Sequence, residues 1–149
     1  MLEIRAKIQI NPTSPNYSAG ISVRYNPSIV DGKTERTNIT FSNTGVYVER
    51  NQSSLLDYVN RQPSHTWNRV KTEYEVTILL DRSMLEVYVD GVISFTTRIY
   101  PKYGDSDYLN IFDENANIKF TELTIYRMGS AYSDTVTPPY YGNMGNLGD

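Results

Sequence analysis

Val76-Thr77-Ile78-Leu79-Leu80-Asp81-Arg82-Ser83-Met84-Leu85-Glu86-Val87-Tyr88-Val89-Asp90-Gly91 decides the fold. Val76 to Leu80 and Leu85 to Val89 are β-branched and aliphatic runs of strand length, joined by a tight connection at Asp81-Arg82-Ser83. Asp90-Gly91-Val92 then forms a three-residue hairpin loop, with the glycine supplying a positive φ. That loop pairs Val89 with Ile93 and Val87 with Phe95 on one face. On the other it pairs Tyr88 with Ser94, Glu86 with Thr96 and Met84 with Arg98. A slip of one residue would mix the faces, so the register is specified.

Outward from this hairpin the chain reads as strands almost throughout. Leu2, Ile4, Ala6, Ile8 and Ile10 alternate with Glu3, Arg5, Lys7 and Gln9, the pattern of a half-buried strand. Residues 11–16 carry two prolines and form a loop. Ile21, Val23 and Tyr25 alternate with Ser22 and Arg24, and a second loop is bracketed by Asn26-Pro27 and Asp31-Gly32. Thr37 to Phe41 is a short strand, turned at 42–45 into Val46-Tyr47-Val48-Glu49. Residues 50–72 have no assignable pattern. Ile93 to Tyr100 is a strand ended by Pro101. Tyr108 to Phe112 is another, and Ile118 to Tyr126 a further one whose parity changes near Thr121 and Glu122, the mark of a bulge. No helix is demanded. The expectation is an all-β antiparallel β-sandwich, jelly-roll or concanavalin-lectin-like, over residues 1–130. A Pro/Gly/Tyr-rich tail follows over 131–149.

Composition excludes several kinds of chemistry. With no cysteine and one histidine, His65, among 149 residues, disulfides, thiolate nucleophiles and imidazole-rich metal sites drop out. A net charge of -3 and a pI near 5.2 offer no footprint for nucleic acid. No apolar run approaches the roughly 20 residues of a membrane span. Glycine-loop, nucleophile-elbow and zinc-protease signatures are missing. Asp105, Asp107, Asp113 and Glu114 form a loose group of calcium-type oxygen ligands or, more simply, solvated loop acids. Asn-x-Ser/Thr triplets at Asn16, Asn38 and Asn51 read as coincidence in so Asn-rich a chain. No cofactor is called for.

What remains is the polar side of the strands. If aliphatic positions point inward, Arg24, Tyr47, Glu49, Glu86, Tyr88 and Arg98 point away from the core. Two readings stay open: a convergent polar pocket, or cross-strand ion pairs of about 0.2–1 kcal/mol each. Trp67 is either a stacking platform for a ligand or a lid over one end of the core.

The stretch 76–91, followed by Thr96-Thr97-Arg98-Ile99-Tyr100-Pro101, resembles the C-terminal β-sandwich of glycoside hydrolase family 32, the invertases, inulinases and levanases. Ala19-Gly20-Ile21 and Gly45-Val46-Tyr47-Val48-Glu49-Arg50 fall where that domain has similar motifs. The likeness spans about 2–128 and is most specific over 76–101, with an insert around 51–70 as a departure. The related family 66 carbohydrate-binding modules bind fructan ends. The catalytic propeller motifs of those enzymes are not in this sequence, so no catalytic residue carries over.

The resemblance implies a non-catalytic module that recognises the terminal fructosyl residue of β-fructans, levan first and inulin second, and targets a covalently linked fructosidase to its polymer. Arg24, Glu49, Asp81, Glu86 and Arg98 are then expected as polar contacts, since charged groups make strong paired hydrogen bonds to neighbouring hydroxyls. Tyr88 and Trp67 are expected as apolar walls. Asp81 and Arg82 also read as a structural turn pair. The alternatives are a sandwich that braces a fructosidase propeller with no ligand of its own, and a lectin-like module for another glycan. A strand directly after Met1, with no export signal, fits a domain cut from a larger secreted enzyme, hence an extracellular location.

Overall fold

A computed structural model describes residues 1–11, 16–30, 33–54, 62–102, 106–113 and 118–127. They form ten strands: β1 (Leu2–Ile10), β2 (Ser18–Val30), β3 (Lys33–Ser42), β4 (Gly45–Glu49), β5 (Ser64–Thr66), β6 (Glu73–Asp81), β7 (Met84–Val89), β8 (Ile93–Arg98), β9 (Tyr108–Asp113) and β10 (Ile118–Arg127). They make two five-stranded sheets. Sheet A has the order β10-β1-β6-β7-β8 and sheet B the order β5-β4-β3-β2-β9. All the pairings are antiparallel. The all-β antiparallel sandwich expected from the strand pattern is therefore the fold.

Parity builds the core. Ile4, Ile8, Ile78, Leu85 and Val87 from sheet A meet Val23, Ile39, Phe41, Val46 and Val48 from sheet B, all fully buried. Each such side chain contributes roughly 1.5–3 kcal/mol of burial. The β7–β8 hairpin has the expected register, with Val89 opposite Ile93 and Met84 opposite Arg98. The expected bulge is also there. Lys7 faces Glu122 and Ile8 faces Phe120, which leaves Thr121 unpaired.

Several local readings need correction. The segment from Asn26 to Val30 is not a loop but the continuation of β2, whose pairing with β3 shifts between Val23 and Asn26 and again before Val30. Arg24 sits at that irregularity with φ 48°. The irregular pairing accommodates Pro27, which has no N–H to give to a ladder. It also moves Tyr25 off the inner face of Ile21 and Val23, because Tyr25 pairs with Tyr108 in the row parity of Ser22 and Asn110. Strand β3 is longer than Thr37–Phe41, and β8 stops at Arg98. Asp31, Gly32 and the tail 131–149 lie outside the described residues.

One buried carboxyl group ties the far connection down. Glu35 is fully buried and accepts the Lys102 N–H at 2.7 Å and the Ser106 hydroxyl at 2.5 Å. These bonds anchor the segment between β8 and β9 to β3. Leaving a buried group of this kind without its partners costs about 1–3 kcal/mol.

Tyr17, at the entry to β2, is buried, and its hydroxyl has no hydrogen-bond partner among the described residues. Burial pushes the phenol up to about 12, from an ordinary value near 10. The folded chain thus holds this proton more tightly than the unfolded one. That contribution to stability is fully present below about pH 10 and is lost as pH rises through about 12. Tyr17→Phe is expected to keep or raise the melting temperature at pH 7, because no hydrogen bond is lost. It should also remove part of the stability loss across that alkaline window, as read by thermal unfolding against pH.

Candidate functional site

The outer face of sheet B carries a trough whose origin is visible residue by residue. Ser18, Gly20 and Ser22 alternate with Ala19, Ile21 and Val23 along β2, so the outer row of this strand holds only small side chains. Larger residues on the flanking strands rise around them. Glu49, Asn38, Ser22 and Asn110 lie in one row across β4, β3, β2 and β9. Phe112 stands beside Gly20, Arg36 precedes Asn38 by one outward position, and Tyr25 closes one end. The resulting hollow of about 250 Å³ is lined by Ser18, Ser22, Tyr25, Arg36, Asn38, Glu49, Asn110 and Phe112. Pockets for drug-sized ligands run to roughly 300–1,000 Å³, so this room suits a single sugar ring.

Its polar groups are partly fixed and partly unengaged. The Ser22 hydroxyl donates to Asn38 Oδ1 at 2.7 Å, and the Thr40 hydroxyl donates to Glu49 Oε2 at 2.5 Å. Arg36 lines the same hollow as Glu49, yet its guanidinium makes no hydrogen bond or ion pair among the described residues. A free five-donor fork beside a carboxylate held in place, with Tyr25 and Phe112 as walls, is equipped to hold vicinal hydroxyls.

The outer face of sheet A is different in kind. A wider, open hollow of about 720 Å³ is lined by Lys7, Arg69, Lys71, Glu73, Glu75 and Asp90, among others. Several of its charges are paired, with Lys71 on Asp90 at 2.7 Å and Lys7 on Glu122 at 3.5 Å and Glu75 at 3.9 Å, while Arg69 and Glu73 have no ion pair among the described residues. Arg5 pairs with Glu3 and stacks over the Tyr126 ring. These are exposed ladders of the weak, structural type.

The residues singled out from sequence are distributed over three regions. Glu49 is in the trough of sheet B. Asp81, Glu86, Tyr88 and Arg98 share the outer face of sheet A: Asp81, Met84 and Arg98 form one row, and Glu86 lies in the next. There the Tyr88 hydroxyl donates to Glu86 Oε1 at 3.0 Å, which raises the phenol's pKa, and Arg98 donates to Ser83 Oγ at 2.9 Å. Arg24 does not rise from an outer face. It leaves the β2 bulge toward the end of the sandwich and donates to the Arg82 carbonyl at 2.9 Å. Trp67 is half-buried at the other end, stacked on Tyr74 at 4.5 Å, with its Nε1–H donating to the Ser42 carbonyl at 2.9 Å. It packs against the core at that end.

Arg36, Asn38, Tyr25, Ser22, Asn110 and Phe112 were not among the sequence candidates. The signal was present in the alternation of Ser18, Gly20 and Ser22, and of Arg36, Asn38 and Thr40, with buried partners. Among the described residues no group of three or more acidic or histidine side chains is placed to hold a metal ion. Asp105 and Glu114 lie outside them. No helix among them is long and apolar enough to cross a membrane.

The sequence profile of the family described as Glycosyl hydrolases family 32 C terminal matches residues 1–127. Among solved structures, the fructosyltransferase from A. japonicus is similar with a TM-score of 0.69 at 17% identity, covering 83% of this chain and 22% of that one. Exo-inulinase from Aspergillus awamori gives 0.64 at 16%, covering 86% and 25%. Sheep Galectin-11 gives 0.58 at 10%, covering 84% and 88%. This chain thus spans under a quarter of the fructosyltransferase's length. No curated protein sequence matches it. The profile match extends over most of the chain, and the chain belongs to the glycosyl hydrolase family 32 C-terminal family. In those enzymes this is the non-catalytic domain, the catalytic one being the N-terminal propeller.

The trough depends on Gly20. A Cβ there would run into the backbone carbonyl of Ile39, and backbone cannot swing aside. Gly20→Ala is expected to destabilise the fold by about 1–3 kcal/mol, seen as a lower melting temperature.

Proposed function

We propose, from this family membership and from the trough, that the chain is a carbohydrate-binding module. It grips the terminal fructosyl residue of a β-fructan, levan or inulin, on the outer face of sheet B. It holds an attached fructosidase domain near its polymer outside the cell, raising local substrate concentration by linkage. The observation that carries this reading is the unengaged Arg36 guanidinium sharing a one-ring hollow with Glu49. A furanose is small and studded with hydroxyls, so paired charged hydrogen bonds serve it better than a broad aromatic platform. Tyr25 and Phe112 cover ring carbons. A pocket for one ring supports modest affinity; about 8 kcal/mol, the equivalent of micromolar binding, is an upper expectation.

A second reading has its own observation. Ile111 on β9 and Leu123 and Ile125 on β10 belong to inner-face rows, yet they are 44%, 42% and 49% exposed. Both strands are sheet edges, so the core is open there. Such an apolar margin is what a bracing role against a neighbouring domain would cover.

Calorimetric titration with levan, inulin, sucrose and a glucan separates these readings. Heat with fructans, lost at least tenfold in Arg36→Ala and Glu49→Gln at unchanged melting temperature, is the expected result. Wild-type affinity in both variants, with loss instead in Glu86→Ala and Arg98→Ala, would move the site to sheet A. Silence with every fructan would leave the bracing role, and glucan binding would point to a different lectin-like module.

A further inference from the structure

One end of the sandwich gathers arginines that the trough does not use. Arg82 stands exposed in the β6–β7 turn with φ 54°. Arg98, at the end of β8, is exposed and donates Nη1 to Ser83 Oγ at 2.9 Å in the same turn. Arg24 reaches over from sheet B and donates Nη2 to the Arg82 carbonyl at 2.9 Å. Arg50, just past β4, donates Nη2 to the Arg98 carbonyl at 2.8 Å. Three guanidiniums from both sheets are thus fixed around the turn and the adjoining end of β8, with Arg82 exposed in the turn itself, and the acceptors in these bonds are neutral oxygens.

A carbonyl and a hydroxyl fix Arg24 and Arg98 without neutralising them. Arg24, Arg82 and Arg98 form no ion pair among the described residues. Asp81 lies two strands from Arg98 in the same row, about 10 Å away by strand spacing, and Glu86 is already engaged by Tyr88. A chain with a net charge of -3 therefore keeps a positive pole at this end. Like charges held together in this way repel, and a bound set of carboxylates relieves that repulsion.

The neighbouring side chains select the kind of carboxylate. These arginines line none of the three hollows on the outer faces. Tyr100, 61% exposed, follows Arg98 by two residues. Exposed arginine and tyrosine are the residues enriched at protein interfaces, and guanidinium forks match carboxylates two bonds at a time. We infer that the arginine end around the β6–β7 turn is a docking surface for an acidic polypeptide segment. The Asp or Glu carboxylates of that segment are taken by Arg82 and Arg98, while Arg24 holds the turn and Arg50 the end of β8. This surface is independent of the sugar trough.

Titrating the whole chain, labelled for amide NMR, with an oligoglutamate peptide tests this, with oligoglutamine as the uncharged control. The expected result is shifts centred on Arg82, Ser83, Arg98 and Ile99, no response to oligoglutamine, and affinity that falls steeply as salt rises from about 0.05 to 0.3 M. Arg82→Gly keeps the positive φ accessible and should weaken oligoglutamate binding at least fivefold while leaving fructan binding as it was. Arg98→Gln, which keeps a donor for Ser83, should weaken it similarly. An absence of shifts, or shifts centred on Lys7, Arg69 and Lys71, would overturn the proposal. So would tighter binding of polygalacturonate than of oligoglutamate, which would make the surface a reader of acidic glycans. Because the wild-type shift map already decides the location, a variant that fails to fold does not rescue the idea.

Discussion

Two apolar faces share one layer of side chains between the sheets, and that constraint governs everything else in this molecule. A sandwich core is about 10 Å thick, so each strand residue belongs either to it or to an outer face, by parity alone. Ile4, Ile78 and Val87 on one side and Ile39, Phe41 and Val48 on the other are buried completely. Their neighbours in sequence are thereby committed outward. Outer-face chemistry is a by-product of this commitment, and it differs sharply between the sheets. Sheet A places ion pairs and a stacked Arg5–Tyr126 contact around an open hollow, whereas sheet B has a smaller trough that sets an unengaged arginine and a hydrogen-bonded glutamate together.

Departures from parity are where the molecule does something other than pack. At Thr121 the bulge keeps both halves of β10 aligned with β1. At Arg24 it has wider effects: it turns Tyr25 outward to end the trough, and it frees Arg24 to span the sheets and grip the β6–β7 turn. One irregularity therefore contributes both to the sugar site and to the arginine end. The backbone there, at φ 48° in a non-glycine residue, is of the costly kind that persists only when its surroundings over-determine it.

How much of this was legible in the amino-acid order follows from the same physics. The β7–β8 hairpin was readable to the residue, because a three-residue loop and period-2 patterning are both local. The β10 bulge was readable as a break of parity within one strand. The continuation of β2 past Pro27 was not, since Asn-Pro signals a loop locally and only the partner strand shows that pairing resumes. The trough was hidden for a related reason. Its row joins Glu49, Asn38, Ser22 and Asn110 from four strands, and strand order is set by long-range pairing. Of those four, Glu49 stood out by charge, while Ser22 and Asn110 look unremarkable until Gly20 and Phe112 are placed beside them. Trp67 was ambiguous in sequence, because its stacking on Tyr74 is a contact with a strand that follows it in the chain.

Membership of the family 32 C-terminal family says that the domain is not the catalytic one, and it leaves open whether a given member holds sugar or only supports its neighbour. The one-ring trough that holds Arg36 and Glu49 together is what favours sugar binding for this chain, and the open apolar edge at β9 and β10 is what favours support. The two roles use different surfaces, so one chain has room for both. A crystal structure of the chain soaked with a short levan oligosaccharide tests the central claim most directly. A terminal fructosyl ring in the trough, with Arg36 and Glu49 bonded to neighbouring hydroxyls, is the predicted result. A ring bound on the outer face of sheet A beside Glu86 and Arg98, or an empty trough at saturating sugar, would contradict it.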